Sequence, residues 1–179
     1  MMSFAKGLSA GYLPISAAVI SGDMFDVIKE HSQKAGVFGH GYTYGGHPVA
    51  CAVALKVLEI YERDRVFEHA SKVGAYLQQR LCELDQHPLV GEVRGVGLIA
   101  AVELVANKQT GTAFQDGRVG AYAQSRCQEN GLILRTVAGS SLAICPPLII
   151  TEAEIDELIQ QLMTSLDETL AYVTTHAIN

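Results

Sequence analysis

The pattern that most restricts the fold of this chain lies near its end. Thr151 and Glu154 are spaced as a capping box, in which a hydroxyl accepts a backbone N–H at the start of a helix and a carboxylate reaches back. Behind them Ile155, Leu158, Ile159, Leu162, Leu166 and Leu170 recur at three- and four-residue steps. They form the inner face of a long packed helix. A second stripe of the same kind, Val66, Ala70, Val73, Leu77, Leu81 and Leu84, predicts a helix over residues 65–84, closed by Pro88.

Between the two stripes the pattern changes period. Val93 to Val105 has an extended, β-type pattern broken at Gly95 and Gly97. Residues 116–129 return to helical spacing, with Val119, Tyr122, Ala123 and Cys127 on one face and Asn130-Gly131 as a stop signal. Residues 132–135 and 141–146 are expected as two strands about a turn at Gly139-Ser140. Ahead of the first stripe, residues 15–20 are short, partly β-branched and bounded by Pro14 and Gly22, which predicts a buried strand. A brief helix follows over 23–30. Residues 31–46 read as a loop containing Gly36, Gly39, Gly41 and Gly45. Pro48 suits a first helical position, because its missing N–H would have no partner there. The Ala-, Val- and Leu-rich run over 49–62 is expected to be buried. The boundary falls near the start of the 65–84 helix, dividing the chain into residues 1–64 and 65–179.

Composition narrows the function class. The 179 residues are 49% hydrophobic and 18% charged, as in an ordinary globular protein. A net charge of -6, with no basic cluster, argues against a nucleic-acid partner. Cys51, Cys82, Cys127 and Cys145 have no zinc-pair spacing and suit free thiols in a reducing compartment. Lys6 precedes a mostly apolar run to Ile20, but Gly11, Tyr12 and Pro14 interrupt it and no small-residue cleavage site follows. No stretch approaches the roughly 20 apolar residues of a membrane span. A cytoplasmic protein without a membrane partner is the expectation. His40 and His47 lack further ligands for a metal.

Four segments go beyond pattern. They are Phe4-Ala5-Lys6-Gly7-Leu8-Ser9-Ala10-Gly11-Tyr12-Leu13-Pro14, His40-Gly41-Tyr42-Thr43-Tyr44-Gly45-Gly46-His47-Pro48, Val93-Arg94-Gly95-Val96-Gly97-Leu98, and Gly131-Leu132-Ile133-Leu134-Arg135 with Pro146-Pro147-Leu148. In that order they resemble the cofactor-lysine segment, the phosphate-contacting loop, the opening strand of the C-terminal domain and the closing segment of class III aminotransferases. The resemblance covers nearly the whole chain. It implies an α/β chain forming the C-terminal part of a type I pyridoxal-phosphate-dependent transferase fold: a remnant of the large, cofactor-binding domain over 1–64 and the small α+β domain over 65–179. It further implies pyridoxal 5'-phosphate as cofactor, an amino donor and an oxo acid as substrates, and a homodimer.

Three side chains carry the implied chemistry. Lys6 would form the Schiff base and move a proton between substrate carbon and cofactor. An amine must be neutral part of the time to condense, and Lys6 has no carboxylate next to it in sequence. Taken without the motif, it reads as a solvated lysine near a terminus. Thr43 would bind the cofactor phosphate, in the family across the dimer interface, aided by flexible glycines and the positive end of the helix opening at Pro48. On its own residues that segment reads instead as a turn entering a helix. Arg135 would grip a substrate carboxylate through two parallel hydrogen bonds, as in the branch acting on omega-amino acids and amines with pyruvate. A surface ion pair is its alternative. Arg94 reads as structural.

The family also needs a glycine-serine phosphate loop, an aromatic stacked on the pyridine ring and an acidic residue at the ring nitrogen, all ahead of the lysine. The five residues before Lys6 cannot hold them. The isolated chain is therefore expected not to transaminate, and residues 1–64 are expected to need self-association or another chain to be held. Two readings follow. One is a piece of an omega-amino acid or amine:pyruvate transaminase, with a 4-aminobutyrate- or ornithine-type enzyme using 2-oxoglutarate as its variant. The other is a non-catalytic remnant serving as an oligomerising or partner-binding module.

Overall fold

The computed structural model describes residues 1–115 and 117–178. The backbone divides into two compact units, Met1–Arg65 and the chain from Val66 onward.

The first unit is thinly packed. Strands β1 (Met2–Phe4) and β2 (Ala17–Val19) pair antiparallel, Met2 opposite Val19 and Phe4 opposite Ala17, and every residue of both is exposed. The strand expected over 15–20 thus forms, but as half of an exposed two-stranded ribbon and not as a buried strand. A ribbon of three-residue strands has no second layer to cover it. Helix α1 (Gly22–Ala35) starts where Ser21 accepts the N–H of Met24, and it runs five residues beyond the expected 30. An ion pair between Lys34 and Glu30, one turn apart, supports that extension. No residue of α1 is buried. Helix α2 (Pro48–Arg63) opens on the expected proline but buries only Ala50, Ala54 and Val57, so the expectation of a buried helix holds for one narrow stripe. Phe25, Val37, Tyr44 and Leu55 remain exposed by 55%, 93%, 79% and 63%.

The second unit has a true core. Helix α3 (Val66–Leu81) continues into a 3-10 turn over Cys82–Gln86, which is how the stripe reaches Leu84. Strands β3 (Val90–Val96) and β4 (Ile99–Asn107) make a hairpin whose turn places Gly97 at φ 56°, a left-handed conformation that glycine adopts without strain. The short strand β5 (Thr112–Ala113) pairs with β4. Helix α4 (Arg118–Glu129) follows; the expected helix start at Asp116 lies outside the described residues. Strands β6 (Arg135–Val137) and β7 (Ser141–Ile144) form a second hairpin, and the order across the sheet is β3-β4-β7-β6, all antiparallel.

Leu132 to Leu134 do not extend β6 as expected. The Leu132 N–H is instead drawn to the Cys127 carbonyl at 2.8 Å as the chain leaves α4, with Gly131 at φ 91°. The last helix, α5 (Glu152–Thr175), has the full capping box: the Glu154 N–H donates to Thr151 Oγ1 at 3.2 Å, and Glu154 Oε2 accepts the Thr151 N–H at 2.8 Å.

Helices α3, α4 and α5 cover one face of the sheet. Ala100, Val102 and Leu104 of β4 point into the core with Leu77, Leu81, Val119, Leu142, Ile155, Leu162 and Leu166. Full burial of each such leucine or isoleucine contributes about 1.5–3 kcal/mol. Alternation along β4 sends Ala101 and Glu103 to the opposite face.

Candidate active site

Lys6 opens a 3-10 turn, Lys6–Leu8, and takes φ 48°, left-handed for a residue that carries a side chain. Ala10 repeats that conformation at φ 48°, followed by Gly11 at φ 80°. The segment is stitched by backbone bonds: Leu8 N–H to Ala5 O at 3.0 Å, Ser9 N–H to Lys6 O at 3.2 Å, and Ala10 N–H to Gly7 O at 3.3 Å. Ser9, buried to 3% exposure, donates its hydroxyl to Leu13 O at 2.6 Å. The Lys6 side chain is exposed and has no hydrogen bond or ion pair among the described residues. One contact that sequence patterns could not reveal reaches this turn from α2: the Tyr61 hydroxyl donates to Gly7 O at 2.9 Å, across a separation of 54 residues.

Thr43 is exposed in the loop that enters α2. Around it Phe38, His40 and Tyr42 have ring contacts in succession, at 5.9 and 5.5 Å between centroids, while Gly39 and Gly41 alternate with them and have nothing near a would-be Cβ. Backbone on the glycine side is bare. Gly45 is needed by the turn itself, since a Cβ there would stand 3.1 Å from the Tyr42 carbonyl. Helix α2 has no side-chain cap from His47 and no acidic residue in its first turn. Its first bond is Cys51 N–H to His47 O, so the N–H groups of Val49 and Ala50 have no partner within the helix and are suited to an anion.

A hollow of about 710 Å³ lies in this unit, with walls from Pro14 to Ala17 on one side and from Tyr42, Tyr44, Gly45 and His47 on the other. It joins the end of the lysine segment to the loop carrying Thr43. Neither Lys6 nor Thr43 is among its lining residues, and no bond links the two.

Arg135 lies in the second unit, at the start of the edge strand β6 instead of after a strand. On the open face of the sheet the register sets Arg94, Ala101, Ala143 and Arg135 in one cross-strand row. The two arginines differ. Arg94 Nη1 is held by Glu92 at 2.7 Å and Glu103 at 2.6 Å, which makes it structural. Arg135 faces only alanine across the ladder and has no ion pair among the described residues. Its strand is pinned from behind, where Gln124 Oε1 accepts both the Thr136 N–H at 2.8 Å and the Thr136 hydroxyl at 3.0 Å. That anchor too was invisible in the sequence, since Gln124 sits on a helical face with no pattern linking it to β6.

Groups of the kind that hold the two ends of a pyridoxal phosphate are present in this unit, at places that no bond and no shared lining connect. Lys6 offers an unengaged amine for the aldehyde, and the Thr43 hydroxyl with the α2 N–H groups offers donors for the phosphate. The ring nitrogen is less well served, since no Asp or Glu is among the described residues lining the hollow. Among the described residues no cluster of His, Cys, Asp and Glu could hold a metal ion, and no helix is long and apolar enough to cross a membrane.

Comparison with known proteins identifies the family. Residues 1–166 match the aminotransferase class-III family. The putrescine–pyruvate aminotransferase of Pseudomonas aeruginosa is 45% identical over 174 residues, covering 97% of this chain and 37% of the relative. The mitochondrial gamma-aminobutyrate transaminase 1 of Solanum lycopersicum is 42% identical, covering 94% and 33%. Among solved structures, the omega transaminase of Pseudomonas jessenii in complex with PMP superposes with a TM-score of 0.89 at 44% identity, covering 97% of this chain and 38% of that one. A transaminase with L-alanine reaches 0.91 at 47% identity, covering 96% and 40%. The chain thus spans well under half the length of these relatives. It belongs to the class III aminotransferases, a pyridoxal-phosphate-dependent family, and corresponds to a C-terminal portion of their fold.

Proposed function

We propose that this chain supplies the cofactor-linking lysine and part of the phosphate and substrate contacts of a transaminase that moves an amino group from an omega-amino acid or amine to an oxo acid such as pyruvate. Lys6 Nζ would hold the cofactor covalently and would carry a proton to and from the substrate carbon. Thr43 Oγ1 and the N–H groups of Val49 and Ala50 would donate to a cofactor phosphate, in a homodimer that of the neighbouring subunit. The Arg135 guanidinium, on the strand that Gln124 anchors at Thr136 and free of a carboxylate of its own, would take a substrate carboxylate in a two-bond grip. When bound, pyridoxal phosphate supplies the electron sink.

The observation that supports this reading is the hollow between residues 14–17, which follow the lysine segment, and the loop entering the open N-terminus of α2. Pyruvate as acceptor is supported by the putrescine–pyruvate relative, and a 4-aminobutyrate donor by the Solanum one, so both stay within the proposal.

The chain alone is proposed to be inactive and to work as part of a larger assembly, a homodimer or a complex with the remainder of the family's length. The exposed apolar residues of α1 and of the β1–β2 ribbon support that, and they equally suit a non-catalytic module that binds a partner. The test is amino transfer from a panel of diamines and omega-amino acids to pyruvate and to 2-oxoglutarate. It is measured on the chain alone and on the chain joined to the portion of the family fold that precedes the lysine. Turnover above free cofactor only in the joined protein is expected, and the preferred acceptor separates the two substrate readings. A joined protein that folds, binds cofactor and transfers nothing would rule the reading out.

A further inference from the structure

We propose that Tyr61 is a positioning residue for Lys6. This inference rests on the reading of Lys6 as the cofactor-linking lysine. A lysine at φ 48° followed by an alanine at the same φ two positions past the turn is a conformation that L-residues leave unless something holds them. The bonds inside the segment are local, backbone ones at 3.0 to 3.3 Å and the Ser9 hydroxyl to Leu13 O at 2.6 Å, and the strands on either side are three residues each. The tether from a stable element is the Tyr61 hydroxyl, which donates to Gly7 O at 2.9 Å.

Gly7 is the next residue to Lys6, and its carbonyl also accepts the Ala10 N–H at 3.3 Å. One oxygen therefore carries both the closing bond of the turn and the bond to α2. Tyr61 lies near the C-terminal end of α2, the helix whose N-terminal turn offers N–H groups to the phosphate. Tyr61 thus ties the lysine turn to the C-terminal end of a 16-residue helix. Gly7 leaves space for this: a Cβ there would only just touch the Tyr61 hydroxyl, at 3.8 Å.

The test follows the site and rate of covalent capture on the chain joined to the portion of the family fold that precedes the lysine. In capture, Lys6 Nζ condenses with the aldehyde carbon of pyridoxal 5'-phosphate, a C=N bond forms and water leaves. Borohydride then delivers hydride to that carbon and fixes the product as a secondary amine, which peptide mass mapping locates. The chain contains six lysines, so Lys29, Lys34, Lys56, Lys72 and Lys108 serve as internal references.

In Tyr61→Phe the capture rate at Lys6, relative to those five, is expected to fall about five-fold, the size of one neutral hydrogen bond. The references are expected to be unchanged. A purely structural role would instead slow nothing selectively or would alter capture at Lys56 on the same helix as well. Wild-type capture at Lys6 with an unchanged Tyr61→Phe rate overturns the positioning role and leaves the reading of Lys6 intact. Wild-type capture with no preference for Lys6 overturns both. Should Tyr61→Phe lose its helical signal, hydrogen exchange of the wild-type chain decides: protected amides at Ser9 and Ala10 are expected, and random-coil exchange there overturns the proposal.

Discussion

Gly74→Ala provides a test of the second unit in which the sign of the effect is decisive. On an isolated helix the change is favourable by about 1 kcal/mol, because alanine is the better helix former. In this structure α3 lies against the β3–β4 turn so closely that a Cβ on Gly74 would stand 2.8 Å from both the Cα and the carbonyl carbon of Gly97, and 3.2 Å from the Leu98 nitrogen. These are backbone atoms and cannot swing aside. The approach is fixed further by Gln78, whose Nε2 donates to Gly97 O at 2.7 Å. Val73 and Leu77 flank the contact and are buried to 2% and 0%, so sliding α3 outward opens the core beneath them.

Overpacking of this kind costs about 1–3 kcal/mol, which outweighs the helix gain in most of its range. The net expectation is destabilisation by about 1 kcal/mol, or a fall of about 4 °C in Tm for a unit of this size. Gly22→Ala is the control: it begins α1 and meets nothing within 4 Å, so it should leave the second unit's transition unchanged. Far-UV circular dichroism melts of both variants make the measurement. A Gly74→Ala protein more stable than wild type would refute the close packing of α3 on the hairpin turn.

Three further outcomes follow from the geometry. His87 is buried, its Nδ1 accepts the Leu89 N–H at 3.2 Å, its Nε2 faces Asp167 at 3.4 Å, and burial holds its pKa below the usual histidine value. The folded state therefore favours the neutral ring, so stability present above about pH 6.5 is lost as pH falls through the depressed folded value. A His87→Asn variant, able to accept the same N–H without titrating, should flatten the urea midpoint between pH 7 and 5. Thr151→Ala removes the hydroxyl half of the α5 capping box and should cost about 1 kcal/mol by urea titration. Leu162→Ala, at a fully buried position on α5, should cost about 2–5 kcal/mol by the same assay, with the largest losses where the core cannot collapse.

The second unit was largely legible in the sequence because its helices bury one stripe each against a common sheet. Leu77, Leu81, Leu162 and Leu166 announce themselves by spacing, and Thr151 with Glu154 marks a helix start that the structure forms as expected. Leu132 to Leu134 read as strand for the same reason that they are not one: three apolar residues suit a core position in either state, and the Cys127 carbonyl captured the first of their N–H groups. The first unit misled in burial more than in secondary structure. Val19, Phe25 and Leu55 are apolar as if for a core, yet none is covered within the chain. Of the site, Lys6, Thr43 and Arg135 stood out through motif resemblance, not periodicity. Their supports did not, since Tyr61 reaches Gly7 and Gln124 reaches Thr136 through folding alone.

Borohydride trapping after exposure to pyridoxal 5'-phosphate, read by peptide mapping on the chain joined to the portion of the family fold that precedes the lysine and on its Lys6→Ala variant, bears most directly on the central assignment. The account predicts a dominant adduct on the sixth residue and its disappearance in the variant, with the other five lysines modified only slowly and alike. Equal modification of all six, or an undiminished specific adduct in Lys6→Ala, would contradict it.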